Sequence, residues 1–432
     1  MVNPVLRVAK VRSGGGAYYL EVAAGTGTGI EAAGRWMGTG SPELGLSGWV
    51  NAADLHAVLA GQEPGTGEVL GTARHRVRVA AYDMTFSAPK SVSLLHALGD
   101  ADVSAAVAAG HARAVGAAMA YVESRALAVR RRTGVASRPI PTTADGIAAA
   151  GFVHRLSRAD DPHLHTHVVV ANLGRGPEGQ WSALDGRGVY AHASATDALY
   201  HVHLRDELSR RLGVAWTPPD RGRSDIAGIG PEARREFSRR AAQIAAHMTE
   251  RELTGGRAQT VAGHITRADK DLHLSAEQLR PQWEDRARSI GLGPRRLDAV
   301  LDRVPRRSLA SRPASLTQSE FPDAVSHSLR ELDRTVTRRD VVRAWCRALP
   351  EGAPAKVVEA AADRFLENLG PEAGRRGERH GPGVAERRHQ PPSPSLDRAE
   401  QERSELSRLL SRRGIGLDRP GPRSPEVGLG LG

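Results

Sequence analysis

Three histidines alternate with other residues in one short segment, DPHLHTHVVVAN, at 161–172. His163, His165 and His167 lead into a run of valines, and β-branched residues favour a strand, which we predict over 163–172. Alternate side chains of a strand share a face, so the three imidazoles point to one side. Imidazoles gathered in this way are typical ligands for a divalent metal ion.

A fourth histidine can join this group if the chain folds into a hairpin. A second strand is predicted at 145–157, and the intervening RADDP contains an Asp-Pro pair in a polar cluster, which indicates a turn. Antiparallel pairing then places His154 opposite the later histidines, with Cβ atoms about 5 Å apart across the strands. We expect His154, His165 and His167 to converge on one metal ion, with His163 farther out on the same face.

Three neutral imidazoles would leave coordination positions of the metal open, which is typical of a catalytic rather than a structural site. They also leave the charge of the ion uncompensated, which suits the binding and polarisation of a phosphate oxygen. A strand of solvated histidines is the alternative, and the histidine across the hairpin favours the metal. Imidazole suits zinc, nickel, copper or cobalt, whereas magnesium and manganese prefer oxygen ligands, which a bound phosphate would add.

A tyrosine pair follows a run of glycines near the N-terminus, at Tyr18 and Tyr19. Tyrosine can act as a covalent nucleophile when another group accepts its proton. Asp83 lies in a strand predicted at 75–89, where apolar and polar residues alternate. Its carboxylate would either accept the tyrosine proton or orient a metal-binding histidine. Packing of adjacent tyrosines, and an ordinary edge position for Asp83, remain the alternatives.

Helices are expected around these strands. Hydrophobic spacing and stop signals predict them at NAADLHAVLAG (51–61), KSVSLLHAL (90–98), 101–131 and about 196–213, with more helices up to about residue 300.

The composition narrows the class of protein. The net charge of +11 favours an anionic partner, first of all a nucleic acid, although an arginine-rich composition alone would also raise the charge. Cys346 is the single cysteine, which excludes a disulfide scaffold and a cysteine-based zinc site. No phosphate-loop motif, signal-peptide core or membrane-spanning stretch is found, so we expect a cytoplasmic protein without membrane insertion.

Several segments together resemble the MobF-class (TrwC/TraI-type) conjugative relaxases, within the HUH endonuclease group. They are AYYLE, GRWMGTGSPELGLSG, YDMTFSAPKSVSLL and GFVHRLSRADDPHLHTHVVVAN, followed by QWSALDGRGVYAH. They cover about residues 1–300 in the family's order. The resemblance implies an α+β fold with an antiparallel central sheet flanked by helices. It also implies a site- and strand-specific nick at an origin of transfer, made by metal-dependent tyrosine transesterification with a 5′-phosphotyrosyl DNA adduct.

The resemblance also implies roles for the candidate residues. Tyr18 matches the family's nucleophile, with Tyr19 beside it, and Asp83 matches the aspartate next to the active site. The family's metal ligands are matched by His154, His165 and His167. We expect Mg²⁺ or Mn²⁺ as the ion, with Zn²⁺, Ni²⁺ or Co²⁺ as alternatives, and single-stranded or melted origin-of-transfer DNA as the partner.

Three regions are predicted: a relaxase domain (1–304) from the resemblance, a helical region (305–370) that looks like the start of a relaxase–helicase connection, and, from its composition, a disordered Arg/Pro/Gly-rich tail (371–432). Two departures stand out, since the family's second tyrosine pair is replaced by VAAGTGTGI and no helicase motif follows. A separate helicase and a type IV secretion coupling protein are therefore expected as partners. A rolling-circle replication initiator, a truncated DNA-binding relic and a three-histidine enzyme for a small molecule remain alternative functions.

Overall fold

A computed structural model describes residues 6–12, 16–24, 33–71, 78–131, 140–220, 222–266, 274–301, 322–332, 334 and 336–368. In chain order its elements are β1 (Arg7–Arg12), α1 (Ala17–Ala23), β2 (Arg35–Met37), a 3-10 turn (Pro42–Leu44), α2 (Ala52–Ala60), β3 (Val79–Ser87), α3 (Lys90–Leu98), α4 (Ala101–Arg125), β4 (Ala128–Arg131), β5 (Ile140–Thr143), β6 (Gly146–Leu156), β7 (Pro162–Arg175), β8 (Trp181–Ser182), α5 (Arg187–Leu212), α6 (Pro231–Glu236), α7 (Arg239–Glu250), α8 (Gly256–Ile265), α9 (Ala276–Ser289), α10 (Pro294–Asp298), α11 (Pro322–Arg330), α12 (Arg338–Ala348) and α13 (Ala355–Asn368).

The main sheet has the strand order β1-β3-β7-β6-β2, and β8 adds to one end of β7. Neighbouring strands pair antiparallel throughout. The expected α+β fold with an antiparallel central sheet is therefore confirmed. β7, the predicted histidine strand, lies in the middle and is paired on both sides.

The two faces of β7 belong to different cores. Leu164, Val168 and Val170 pack in the larger core, to which α3, α4 and α5 contribute, whereas Val169 packs with α1 and α2 on the other face. A strand buried on both faces reads as a nearly continuous apolar run. The run of valines after the histidines therefore follows from the central position of β7.

Two helices differ from their predicted bounds. The helix expected over 101–131 ends at Arg125, because the following residues form β4 and pair with β5. The local sequence of alanines and arginines gives no indication of this pairing with a later strand. The helix expected from about residue 196 begins earlier, at Arg187. Its first turns were not predicted because they carry a glycine and polar residues without a clear apolar stripe.

Other predicted elements are confirmed. α2 begins after Asn51, whose side chain accepts a hydrogen bond from the amide of Asp54, and ends at Gly61 in the left-handed region (φ 76°). β3 occupies most of the strand predicted at 75–89, although residues 75–77 lie outside the described part of the chain.

The helices α11 to α13 fall in the predicted helical region and form a second core with α4 and α5. Arg205 of α5 is 2% exposed and donates hydrogen bonds to the carbonyls of Cys346 (2.9 Å) and Leu349 (3.0 Å). The predicted boundary at 304/305 and the predicted tail (371–432) lie outside the described residues, so the division into regions stays a prediction. Within the described ranges, no helix is both long and apolar enough to cross a membrane.

Candidate active site

The predicted hairpin is present, and its register is the one expected. His154 of β6 pairs directly with His165 of β7, and Phe152 pairs with His167. The chain reverses near residue 160, where Asp160 adopts a left-handed conformation (φ 55°). The structure therefore brings His154 to the face that carries the later histidines.

The side-chain nitrogens of His154, His165 and His167 lie close enough together to hold one metal ion. One ligand nitrogen from each residue lies within 4.8 Å of the others. His154 is 5% exposed and His165 is 9% exposed, so the cluster is largely shielded from bulk water. These are the three histidines predicted as ligands, and the described residues contain no other cluster of this kind.

Hydrogen bonds orient two of the three imidazoles. Nδ1 of His165 lies 2.8 Å from the carbonyl oxygen of His163, and Nδ1 of His167 lies 2.9 Å from a carboxylate oxygen of Asp83. Both acceptors require the proton on Nδ1, which leaves Nε2 as the acceptor for a metal. Burial lowers the pKa of His165 well below its ordinary value, so that ring is neutral. The donor set therefore fits a divalent ion.

Asp83 connects the histidine cluster to the tyrosine pair. It lies on β3 beside β7, where it pairs with Val169. Its Oδ2 accepts a hydrogen bond from the hydroxyl of Tyr19 (2.8 Å), and both carboxylate oxygens face Nδ1 of His167. Asp83 thus occupies the position expected of a residue that orients a metal ligand.

The two tyrosines have different surroundings on α1. Tyr18 is half-buried, and its hydroxyl lies 3.4 Å from Nε2 of His154. Tyr19 is 8% exposed and packs against Phe152. Burial, together with the charge of Asp83, raises the pKa of Tyr19, so this hydroxyl keeps its proton.

His163 lies outside the cluster, as expected. Its ring stacks on that of His165 at 4.5 Å between centroids, and it is not one of the three histidines whose nitrogens converge. Gly16, the one glycine of the run before the tyrosines that lies in the described ranges, allows α1 to pack closely against α2. A Cβ there would lie 2.9 Å from Cδ1 of Leu59 on α2.

An anchor for the hairpin turn was missed in the sequence. Asp161 is fully buried and accepts hydrogen bonds from Arg239 of α7 (2.9 Å) and Arg286 of α9 (3.1 Å). The indole of Trp283 donates to the carbonyl of Asp160 (2.9 Å). Asp161 signalled a turn in the sequence, but its partners lie more than 70 residues away and carry no local signal.

A buried polar group behind the cluster was also missed. His111 of α4 is 1% exposed and bridges Thr166 (2.7 Å) and Tyr200 (2.8 Å). Burial lowers its pKa to about 3. Thr166 lies between two metal-site histidines but points to the opposite face of β7, so this bridge fixes the reverse side of the strand. A lone histidine on an alanine-rich helix gives no sign of this role.

Comparison with known proteins agrees with this geometry. A family model described as TrwC relaxase matches residues 7–290. The chain is 30% identical over 404 residues to the multifunctional conjugation protein TraI of Escherichia coli (strain K12), an alignment that covers 86% of this chain and 22% of that protein. A second Escherichia coli TraI is 30% identical over 367 residues. The chain thus spans about a fifth of the length of these curated relatives.

Solved structures of the conjugative relaxase TrwC resemble the fold. A metal-bound complex of TrwC with oriT DNA has a TM-score of 0.59 and 28% sequence identity to this chain. The alignment covers 66% of this chain and 98% of the TrwC chain. A complex with a 27-mer DNA comprising the recognition hairpin and the cleavage site has a TM-score of 0.57 and 29% identity, with 66% and 98% covered. From the family match, the fold and the histidine cluster together, it follows that this chain belongs to the TrwC relaxase family.

Proposed function

We propose that this chain is a conjugative relaxase that nicks one strand of DNA at an origin of transfer and stays joined to the 5′ phosphate. The observation that carries the proposal is the hydroxyl of Tyr18, 3.4 Å from Nε2 of His154 at the edge of the three-histidine cluster. A nucleophile beside a metal site that binds phosphate is the arrangement that phosphodiester transesterification requires.

Tyr18, rather than Tyr19, is the proposed nucleophile. Attack on phosphorus needs a hydroxyl that DNA can approach, and Tyr18 is the half-buried member of the pair. Tyr19 is buried, and its hydroxyl is held by Asp83 at 2.8 Å. Its proposed role is to position Asp83, which in turn orients His167.

The reaction keeps the number of phosphate ester bonds constant. The hydroxyl oxygen of Tyr18 attacks the phosphorus of the scissile phosphodiester and forms a tyrosyl ester. The bond between phosphorus and the 3′ oxygen breaks, and this oxygen takes up one proton, which balances the proton lost by Tyr18. Because an ester replaces an ester, the reverse reaction can reseal the strand.

His154, His165 and His167 would hold the ion, which would polarise the phosphate oxygens and offset the charge that develops on them. Mg²⁺ or Mn²⁺ is the proposed ion, since bound phosphate and water supply the oxygen ligands that these ions prefer. The proposed substrate is single-stranded or melted origin-of-transfer DNA in the cytoplasm, delivered onward through a type IV secretion coupling protein.

A covalent-adduct assay tests the proposal. The protein is incubated with single-stranded oligonucleotides that span a candidate transfer origin, with Mg²⁺, with Mn²⁺ or with chelator, and run on a denaturing gel. We expect an adduct that needs the metal and maps by peptide analysis to Tyr18. Tyr18→Phe should lose the adduct and keep DNA binding.

Tyr19→Phe is the matched control, because it removes one hydroxyl from the same helix. It should retain adduct formation at a reduced rate. An adduct that persists in Tyr18→Phe and disappears in Tyr19→Phe would reverse the assignment. DNA binding without an adduct, with every metal and origin tested, would contradict the proposed reaction.

A further inference from the structure

An aromatic side chain and an arginine are stacked on each other at the outer edge of the main sheet. Trp49 is 57% exposed, the most exposed of the large hydrophobic side chains that the structure describes. The guanidinium of Arg35 lies 4.2 Å from the centre of its ring. Backbone pairing between Arg35 and Trp49 holds the two side by side.

The sheet next to this pair is also open. Arg35 on β2 pairs with Gly151 on β6, so both lie on the face opposite the histidines. Val153 follows two residues later on that face and is 37% exposed. We call the exposed surface of Arg35, Trp49 and Val153 the edge platform.

The charge of the edge platform is positive. Arg35 forms no ion pair with any carboxylate in the described ranges, and its planar head is already aligned with an aromatic ring. A solvent-exposed tryptophan costs hydration free energy unless a partner covers it, and a net charge of +11 favours an anionic partner. Aromatic rings combined with arginine are the usual means of binding unpaired bases and their phosphates.

We propose that the edge platform binds single-stranded DNA, with one unpaired base stacked on Trp49 and a neighbouring phosphate on Arg35. This proposal rests on the proposed function, because it adds a contact for the same strand outside the cleavage site. The platform lies close enough for this. Gly151, which pairs with Arg35, is three residues from His154 along β6, or about 10 Å, and because β2 ends the sheet, a DNA strand can pass around it from the platform to the histidine face.

Fluorescence anisotropy in chelator separates this contact from cleavage. The probes are fluorescein-labelled oligodeoxyadenylate, single-stranded, and a duplex of the same length, and the variants are compared in the full chain. We expect Trp49→Ala to weaken single-strand binding by about 5- to 150-fold, the range for losing one base–aromatic stack. Duplex binding should change by less than about twofold, since paired bases offer no free face.

Matched variants give the controls. Trp49→Phe should recover most of the affinity, and Arg35→Lys should lose part of it, since the charge remains but the planar stack is lost. Val69→Ala removes another exposed hydrophobic side chain (55% exposed) and should leave binding unchanged. Thermal unfolding of each variant reports whether the fold is retained.

The outcomes are distinct from those of the adduct assay. Unchanged single-strand affinity in a folded Trp49→Ala protein would overturn the platform, whatever the cleavage result. Equal weakening for single-stranded and duplex probes would overturn it as well, because the contact would then be to the backbone alone. Selective weakening in Trp49→Ala would support the platform even if no adduct forms.

Discussion

Replacing Asp83 by asparagine separates the two roles that this carboxylate could have. In the structure the two carboxylate oxygens of Asp83 lie 2.9 and 3.0 Å from Nδ1 of His167. Asp83 also accepts a hydrogen bond from the hydroxyl of Tyr19 at 2.8 Å. Asparagine has the same shape, but it is neutral and has one acceptor oxygen. The variant therefore weakens the orientation of His167 without opening a cavity.

The size of the effect follows from the position of Asp83 behind a metal ligand. Loss of such a partner typically lowers metal affinity about 10- to 100-fold, which corresponds to about 1.4–2.7 kcal/mol. Titration calorimetry with Mn²⁺, starting from chelator-treated protein, should show this drop. Adduct formation with DNA should then fall at low Mn²⁺ and recover largely at saturating Mn²⁺.

Tyr19→Phe is the control, because it removes the other hydrogen bond to Asp83 and leaves the carboxylate facing His167. Its metal affinity should fall less than that of Asp83→Asn. If Asp83→Asn binds Mn²⁺ as tightly as the unmodified protein but fails to form the adduct at any Mn²⁺ concentration, the reasoning is wrong. Asp83 would then act on the reacting tyrosine and not through His167.

Three further predictions concern stability, each measured as the free energy of unfolding in urea. Burial lowers the pKa of His111 to about 3 in the folded protein, whereas it is 6.5 in the unfolded chain. The stability that neutral His111 contributes to the fold is therefore intact above pH 6.5 and is lost as the pH falls toward 3. The unmodified protein should lose about 2 kcal/mol more than His111→Gln between pH 6.5 and 5, and equal slopes would contradict this. Asp161→Asn should cost about 1–3 kcal/mol, since two arginines on α7 and α9 lose a buried anionic partner, and a change under about 0.5 kcal/mol would show that the anchor is unimportant. Gly188→Ala should cost about 1–3 kcal/mol, because its Cβ would lie 1.9 Å from the carbonyl oxygen of Ala126, whereas Gly116→Ala, with nothing within 4 Å, should be neutral or stabilising; similar effects at both sites would refute the clash.

The sequence was informative where short-range periodicity determined the structure. Alternation of histidines, a turn at Asp161 and a valine run sufficed to predict the hairpin and the approach of His154 to His165, because a register follows from the turn that joins two strands. The order of strands was beyond this reasoning. Nothing in the pattern around Asp83 shows that β3 pairs with β7, which is the pairing that brings the carboxylate to His167.

Contacts between distant segments account for most of what was missed. Helix α4 was predicted too long, since the residues after Arg125 favour a helix locally and become a strand only by pairing with β5. The role of His111 depends on Thr166 and Tyr200, which are 55 and 89 residues away. The difference between Tyr18 and Tyr19 likewise depends on burial by α2 and β6, which two adjacent identical residues cannot encode.

The alternation of side chains along β7 ties the three-histidine cluster to the register of the sheet. Side chains alternate along the strand, so a slip of one residue would turn His165 and His167 toward the larger core and Thr166 toward His154. In the slipped register the three ligand histidines would no longer lie on one face of the sheet. A chain paired one residue out of register would therefore be unable to gain stability from a bound ion, while a correctly paired chain would. Metal ions present during folding would then favour the native pairing of β6 and β7 over this slip.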